Sequence, residues 1–299
     1  MTSVISRRAF ALSAAVTAFA GDAFAQARIA GVPRTYRYAQ APGVAADLQS
    51  LDLYAAPGQG RPLVVFIHGG GWRIGDKGMG AHGREKAAFF NALGYAYASL
   101  NYRLSPNVQH PVHVDDVAAA FAWLHDHGAE LGFDANRIYV MGHSAGAHLA
   151  ALVATDARRL AKYGKPLSIL KGVILLDGAG YDVTLQAPAV IARGGFLGEM
   201  YSGAFGTDPA VWRDASPTLH VARGQGASQG IPPFLIVHAS RPDSTRQSLQ
   251  LAQALRSAGV DARIFEARGY THAQVNRRIG EPGEAITGEI EAALRRWGA

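Results

Sequence analysis

The sequence predicts an α/β fold: a mostly parallel central sheet, helices on both of its faces, and a small cap inserted near the C-terminal half. Three observations carry this. Continuous apolar runs of strand length recur at Leu63 to Ile67, Tyr95 to Leu100, Arg137 to Met141, Val173 to Leu176 and Pro233 to Val237, as expected of strands buried on both faces. Between them lie segments of helical period, so the order alternates strand and helix. Nearly half of the 299 residues are apolar and only 17% are charged, a composition that buries a large core and excludes disorder.

Taken in order, Thr35 to Gln40 and Leu48 to Tyr54 predict an opening hairpin, and Pro57-Gly58-Gln59-Gly60 a turn. From Pro111 to Gly128, Val114, Val117, Phe121 and Leu124 recur at helical spacing and the segment ends on glycine. Ala145 to Ala154 is almost wholly small or apolar and predicts a buried helix. Ser248 to Ala258, Ala262 to Glu266 and Gly288 to Trp297 continue as helix, strand, helix. The stretch from Tyr181 to about Gly230 is rich in Gly, Pro and Ala and has only short periodic pieces, at Pro188 to Ala192 and Pro209 to Trp212. It is expected to be an insertion or cap within one domain spanning residues 26–299.

Residues 1–25 differ in kind. Arg7-Arg8 precede an apolar run from Ala9 to Ala20, followed by Ala23-Phe24-Ala25, the pattern of an export signal with a small-residue cleavage site. The paired arginines point to the twin-arginine type, so the chain is expected to be exported to the periplasm or secreted. The run of about a dozen residues is shorter than the roughly 20 needed to span a bilayer, so no stable membrane insertion is expected. With no cysteine, disulfides, thiolate metal sites and a catalytic thiol are excluded. The formal charge of +6 comes from scattered rather than clustered Lys and Arg, which argues against nucleic acid as a partner.

Gly142-His143-Ser144-Ala145-Gly146 places a serine between a predicted strand and a predicted helix, with glycine two residues to either side so that backbone can pack closely around a strained turn. Ser144 is the candidate nucleophile. A serine hydroxyl needs a base, and when the partners follow in the order serine, acid, histidine, His272 in the loop after the last strand is the candidate base. Asp243, after the strand Pro233 to Val237, is the candidate acid, preferred over Asp177 or Asp182. The competing structural role for Asp243 is to begin the helix that follows, where Ser244 and Gln247 also fit a capping box.

His68-Gly69-Gly70-Gly71-Trp72 follows the strand Leu63 to Ile67, and glycines there free backbone N–H groups to meet a developing oxyanion. The expected hole is made by the N–H groups of Gly70, Gly71 and Ala145. Trp72 is expected to line the pocket or buttress this loop, and His143 joins it as a substrate-binding candidate. Gly69, Gly71 and Gly75 mimic a dinucleotide turn only loosely, because loop residues continue where a helix should begin. His110-x-x-His113 and His125-x-His127 lack the carboxylate of a metal motif; no metal and no cofactor is expected.

Together with Leu51-Asp52-Leu53-Tyr54, Asn101-Tyr102-Arg103-Leu104 and Pro111 with Asp115-Asp116, these motifs make the chain from about Leu51 onward resemble the α/β-hydrolase carboxylesterases, in particular the small bacterial esterase and arylformamidase-like branch. The resemblance implies a serine hydrolase acting through an acyl-enzyme on a small or medium ester. An arylformamidase, amidase or exopeptidase with the same triad is the alternative, and a binding protein on the same scaffold is a more distant one. Two departures stand out. The acid loop reads His238-Ala239-Ser240-Arg241-Pro242-Asp243, without the glycine usual after the histidine, and His143 replaces the acidic residue typical of hormone-sensitive-lipase relatives.

Overall fold

A computed structural model of the chain describes residues 31–79, 83–178, 180–222 and 230–298; the expected export signal lies outside the described residues. Eight strands form one sheet: β1 (Arg34–Arg37), β2 (Ser50–Tyr54), β3 (Arg61–Ile67), β4 (Ala96–Leu100), β5 (Phe133–His143), β6 (Leu170–Leu176), β7 (Phe234–Ala239) and β8 (Ala262–Ala267). Their spatial order is β1-β2-β4-β3-β5-β6-β7-β8. β1 and β2 are antiparallel to their neighbours, as the predicted hairpin requires, and β4 through β8 run parallel.

Alternation along the strands builds two apolar layers. Leu63, Val65 and Ile67 of β3, with Ile138 and Val140 of β5, join one cluster. Val64, Phe66, Tyr139 and Met141 join the other. The first layer is covered by α2 (Val112–Leu131), α3 (Ala145–Thr155) and, further along the sheet, Leu251, Ala252 and Leu255 of the helix over Pro242–Ser257. The second is covered by α1 (Arg84–Ala92) and by Ile286, Ile290 and Leu294 of the helix over Ala285–Trp297.

α1 escapes the helical pattern search because its inward face carries Lys86 beside Ala87 and Phe90. Lys86 is fully buried, donating to the Asn276 carbonyl at 2.7 Å and lying 5.2 Å from the Phe66 ring centroid. A short helix, α4 (Ala157–Ala161), follows α3.

The stretch after β6 is helical rather than irregular. α5 (Val183–Arg193), α6 (Gly195–Phe205), α7 (Pro209–Asp214) and α8 (Pro217–Ala222) all lie between β6 and β7. Each is too short to show a long apolar period, and local chemistry ends them. Asp182 and Asp208 cap α5 and α7, and Gly194 and Gly206 adopt positive φ at the breaks. After β7 come α9 (Pro242–Ser257), β8, α10 (His272–Arg277) and α11 (Ala285–Trp297).

Two predictions follow from this packing. A Cβ on Gly142 would stand 2.2 Å from the Gly146 carbonyl oxygen, and one on Gly146 only 2.1 Å from that of Ile67, whereas Gly288 on α11 has nothing within 4 Å. Gly146→Ala should therefore lower the thermal midpoint by several degrees and Gly288→Ala raise it slightly, since an unhindered helical Gly→Ala gains up to about 1 kcal/mol. Equal shifts for the two variants in a melting experiment would contradict the packing.

Burial also pushes the imidazoles of His113, His143 and His148 down to about 3. These values lie below the roughly 6.5 of an unfolded histidine, so on acidification the unfolded chain binds protons that the native state refuses. Stability from this source is complete above about pH 6.5 and is lost as pH falls toward about 3, at about 1.4 kcal/mol per pH unit for each histidine. Urea midpoints should drop markedly between pH 7 and 5; a flat profile would refute the neutral buried state.

Candidate active site

Chain direction brings β5 straight into α3, and Ser144 sits at the junction with φ 56° and ψ −120°. A non-glycine residue pays for positive φ only where its surroundings hold it. Here the Ser144 N–H donates to the Leu176 carbonyl at 3.0 Å, and its own carbonyl accepts from Ala147 and His148 at 3.0 and 3.2 Å. Gly69 closes on the turn from below: a Cβ there would lie 3.0 Å from the Ser144 Cβ.

The glycine loop after β3 turns back on itself, with φ of 106° at Gly70 and 61° at Gly71. The Gly70 carbonyl accepts from Arg73 and Ile74, while neither Gly70 nor Gly71 donates its N–H to another described residue. Ala145 begins α3, where the first N–H groups of a helix lack intrahelical partners. Gly71 and Ala145 line a cavity of about 230 Å³ together with Ser144 and His272.

Trp72 follows the two loop glycines. It lines that cavity, and it is 3% exposed, edge-on to Tyr201 and Phe205 of α6. Its indole N–H donates to His148 Nδ1 at 3.3 Å, and His148 Nε2–H donates to the Ala215 carbonyl at 2.7 Å. The glycine loop is thereby propped against the cap.

His143 departs from expectation. It is not among the residues lining the cavity; its Nε2–H donates to the His272 carbonyl at 2.9 Å, and the two rings lie 4.5 Å apart. Burial, then the neighbouring His272, hold it neutral. It links the end of β5 to the start of α10 and does not contact the substrate space. His272 itself occupies the first position of α10, behind a Thr271 cap closed reciprocally with Gln274.

The acid is the main correction. His272 Nδ1 lies 2.6 Å from Asp177 Oδ2, whereas Asp243 sits in the first turn of α9, 63% exposed, at the cavity rim with Arg246 at 3.6 Å. The helix-start role therefore describes Asp243, where a carboxylate complements the helix dipole. Asp177 ends β6, and because β6 and β7 are adjacent in the sheet, both strand ends open on the same crevice and both satisfy the serine, acid, histidine order.

What the loop after β7 supplies is the setting for Asp177. Its carboxylate accepts from the Ala239 N–H at 3.0 Å, Ser244 Oγ at 2.5 Å and Arg241 Nε at 2.9 Å in addition to His272. Asp177 is fully buried and has φ 45°. Burial alone would raise its pKa, but the hydrogen bonds from His272 and Ser244 and the charge of Arg241 hold it well below the usual carboxylate range. An ionised carboxylate only accepts, so His272 Nδ1 carries a proton, and in a neutral imidazole the lone pair then falls on Nε2. The available signal for Asp177 is an ionisable residue directly after the apolar run Val173 to Leu176.

Among the described residues, the grouping with metal-ligand spacing is Asp156, Asp214 and His220. Arg158 and Arg159 already neutralise it, with Asp156 Oδ2 at 2.7 and 2.9 Å from their guanidinium nitrogens.

The profile described as BD-FAE matches residues 51–255. The carboxylic ester hydrolase LipN of Mycobacterium tuberculosis is 30% identical over 260 residues, covering 85% of this chain and 68% of LipN. The carboxylesterase NlhH of the same species is 31% identical over 242 residues, covering 79% and 73%. Among solved structures, the esterase of Pyrobaculum calidifontis superposes with a TM-score of 0.70 at 25% identity over 93% of this chain and 90% of that one. Esterase B of Lactobacillus rhamnosis has a TM-score of 0.68 at 23% identity, over 93% and 90%, and shares the fold. Sheet order, elbow and relatives agree: the chain belongs to the BD-FAE family, among the carboxylic ester hydrolases of the α/β-hydrolase fold.

Proposed function

We propose that this carboxylic ester hydrolase works through a Ser144–His272–Asp177 triad and a covalent acyl-enzyme. The observation that carries the reading is the 2.6 Å contact between His272 Nδ1 and the buried, ionised Asp177, with His272 lining the same cavity as Ser144. His272 Nε2 takes the proton as Ser144 Oγ attacks the ester carbonyl carbon. The oxygen that becomes negative accepts from the N–H groups of Gly70, Gly71 and Ala145, each donor being worth about 3 to 4 kcal/mol in the transition state. Collapse expels the alcohol with the proton from His272. Water then attacks the acyl carbon by the same route in reverse, releasing the acid and restoring the Ser144 hydroxyl.

Ser144→Ala should abolish hydrolysis of p-nitrophenyl acetate and labelling by a fluorophosphonate. Asp177→Asn should lower kcat on the order of 10³ to 10⁴-fold by leaving the imidazole in the wrong tautomer, while Asp243→Asn costs less than about tenfold. Steady-state kinetics decide it: the reverse ranking of the two aspartates would overturn the assignment of the acid.

The same reading extends to location. No helix among the described residues is long and apolar enough to cross a membrane, and Arg7-Arg8 before the alanine-rich run supports twin-arginine export of the folded enzyme. Replacing both arginines with lysine should retain unprocessed protein in the cytoplasm of a bacterial host; undiminished export of that double variant would refute the route.

A further inference from the structure

The cavity in front of Ser144 is walled on the cap side by apolar groups, with Phe196 and Leu197 at the mouth 67% and 41% exposed. Among them lies one buried amide. Gln186 of α5 is 6% exposed and lines the cavity, and its orientation is dictated by a chain of hydrogen bonds that starts away from the substrate.

The Asp182 N–H donates to Gln247 Oε1 at 3.0 Å. Gln247, fully buried on α9, is therefore turned so that its Nε2 donates to Gln186 Oε1. Tyr201 OH donates to the same oxygen at 2.8 Å, and burial pushes that phenol upward in pKa, so it remains a donor. Both lone pairs of Gln186 Oε1 are thus used. Its Nε2, which must occupy the opposite position, has no partner among the described residues and is not sealed from the cavity. An amide held this rigidly, with one end satisfied and the other offered to a cavity walled on the cap side by Phe196, Leu197 and Met200, is costly unless something accepts from it.

Resting on the triad reading above, we propose that Gln186 is a specificity residue whose Nε2–H groups bind an oxygen acceptor carried by the ester substrate. The preferred ester is then one in which an apolar chain or ring bears an ether, hydroxyl or carbonyl oxygen within the cavity, because a plain hydrocarbon leaves the donor unpaired.

The test replaces CH2 by O one position at a time. Rates on p-nitrophenyl hexanoate are compared with its isosteres bearing an ether oxygen in place of carbon 3, 4 or 5, each corrected for its hydroxide-catalysed rate. A parallel arm compares hexyl acetate with the corresponding oxa-alkyl acetates, which separates acyl-side from alcohol-side placement. In the unmodified enzyme, kcat/KM for one oxa isostere should exceed that of its parent by about tenfold. Gln186→Glu keeps the oxygen that Tyr201 and Gln247 need and, once ionised, puts a second acceptor where the donor stood, so the ratio should fall to one or below. Gln186→Met should bring it close to one. Ratios near one throughout both arms, or a preference that survives Gln186→Glu and Gln186→Met, would overturn the proposal. An unmodified enzyme that cleaves none of the parent esters would instead overturn the hydrolytic reading on which the proposal rests.

Discussion

Everything at the site depends on one buried carboxylate. Asp177 is removed from water at the end of β6, a position that costs several kcal/mol unless the charge is matched. Four donors match it: the Ala239 N–H, Ser244, Arg241 and His272. Hydrogen bonds to a charged group contribute about 1.5 to 3 kcal/mol each, so the set offsets the burial and makes the carboxylate a rigid acceptor. Three of those donors come from the end of β7 through the first turn of α9, and the fourth from the start of α10. Asp177 therefore organises two segments from separate parts of the chain, and His272 inherits its ring orientation from them.

The nucleophile is placed by a different constraint, close backbone approach. Gly142 and Gly146 let β5, β3 and α3 come together where any side chain would collide, which sustains the left-handed backbone at Ser144. His143 then joins the two halves of the machinery by bonding the His272 carbonyl.

The cap completes the pocket. Trp72 reaches from the oxyanion loop to Tyr201 and Phe205 of α6, and Met200 fills the space a Gly71 side chain would take. The cap and the glycine loop are consequently coupled through a few shared contacts, and Gln186 is an oriented polar group on the same cavity wall.

Much of this was legible along the chain. The strand runs from Leu63 to Val237 predicted the parallel sheet, and the glycine spacing around Ser144 and after His68 predicted where backbone must approach backbone, because periodicity and glycine placement are local properties. α1 and the cap helices were not legible: Lys86 interrupts the apolar face of the first, and the others are too short to show a period and owe their stability to caps and tertiary contacts. The choice between Asp177 and Asp243 lay equally beyond local reading. Both follow strands, both precede His272, and both are compatible with the chain order, so only the sheet decided it. By setting β6 beside β7, the tertiary structure brought Asp177 under His272 and turned Asp243 outward as the first turn of a helix. Sequence by itself determined which chemical groups the protein owns and which turns they occupy; which carboxylate meets the imidazole is a distance between residues 95 positions apart, and distance across a sheet exists only once it has formed.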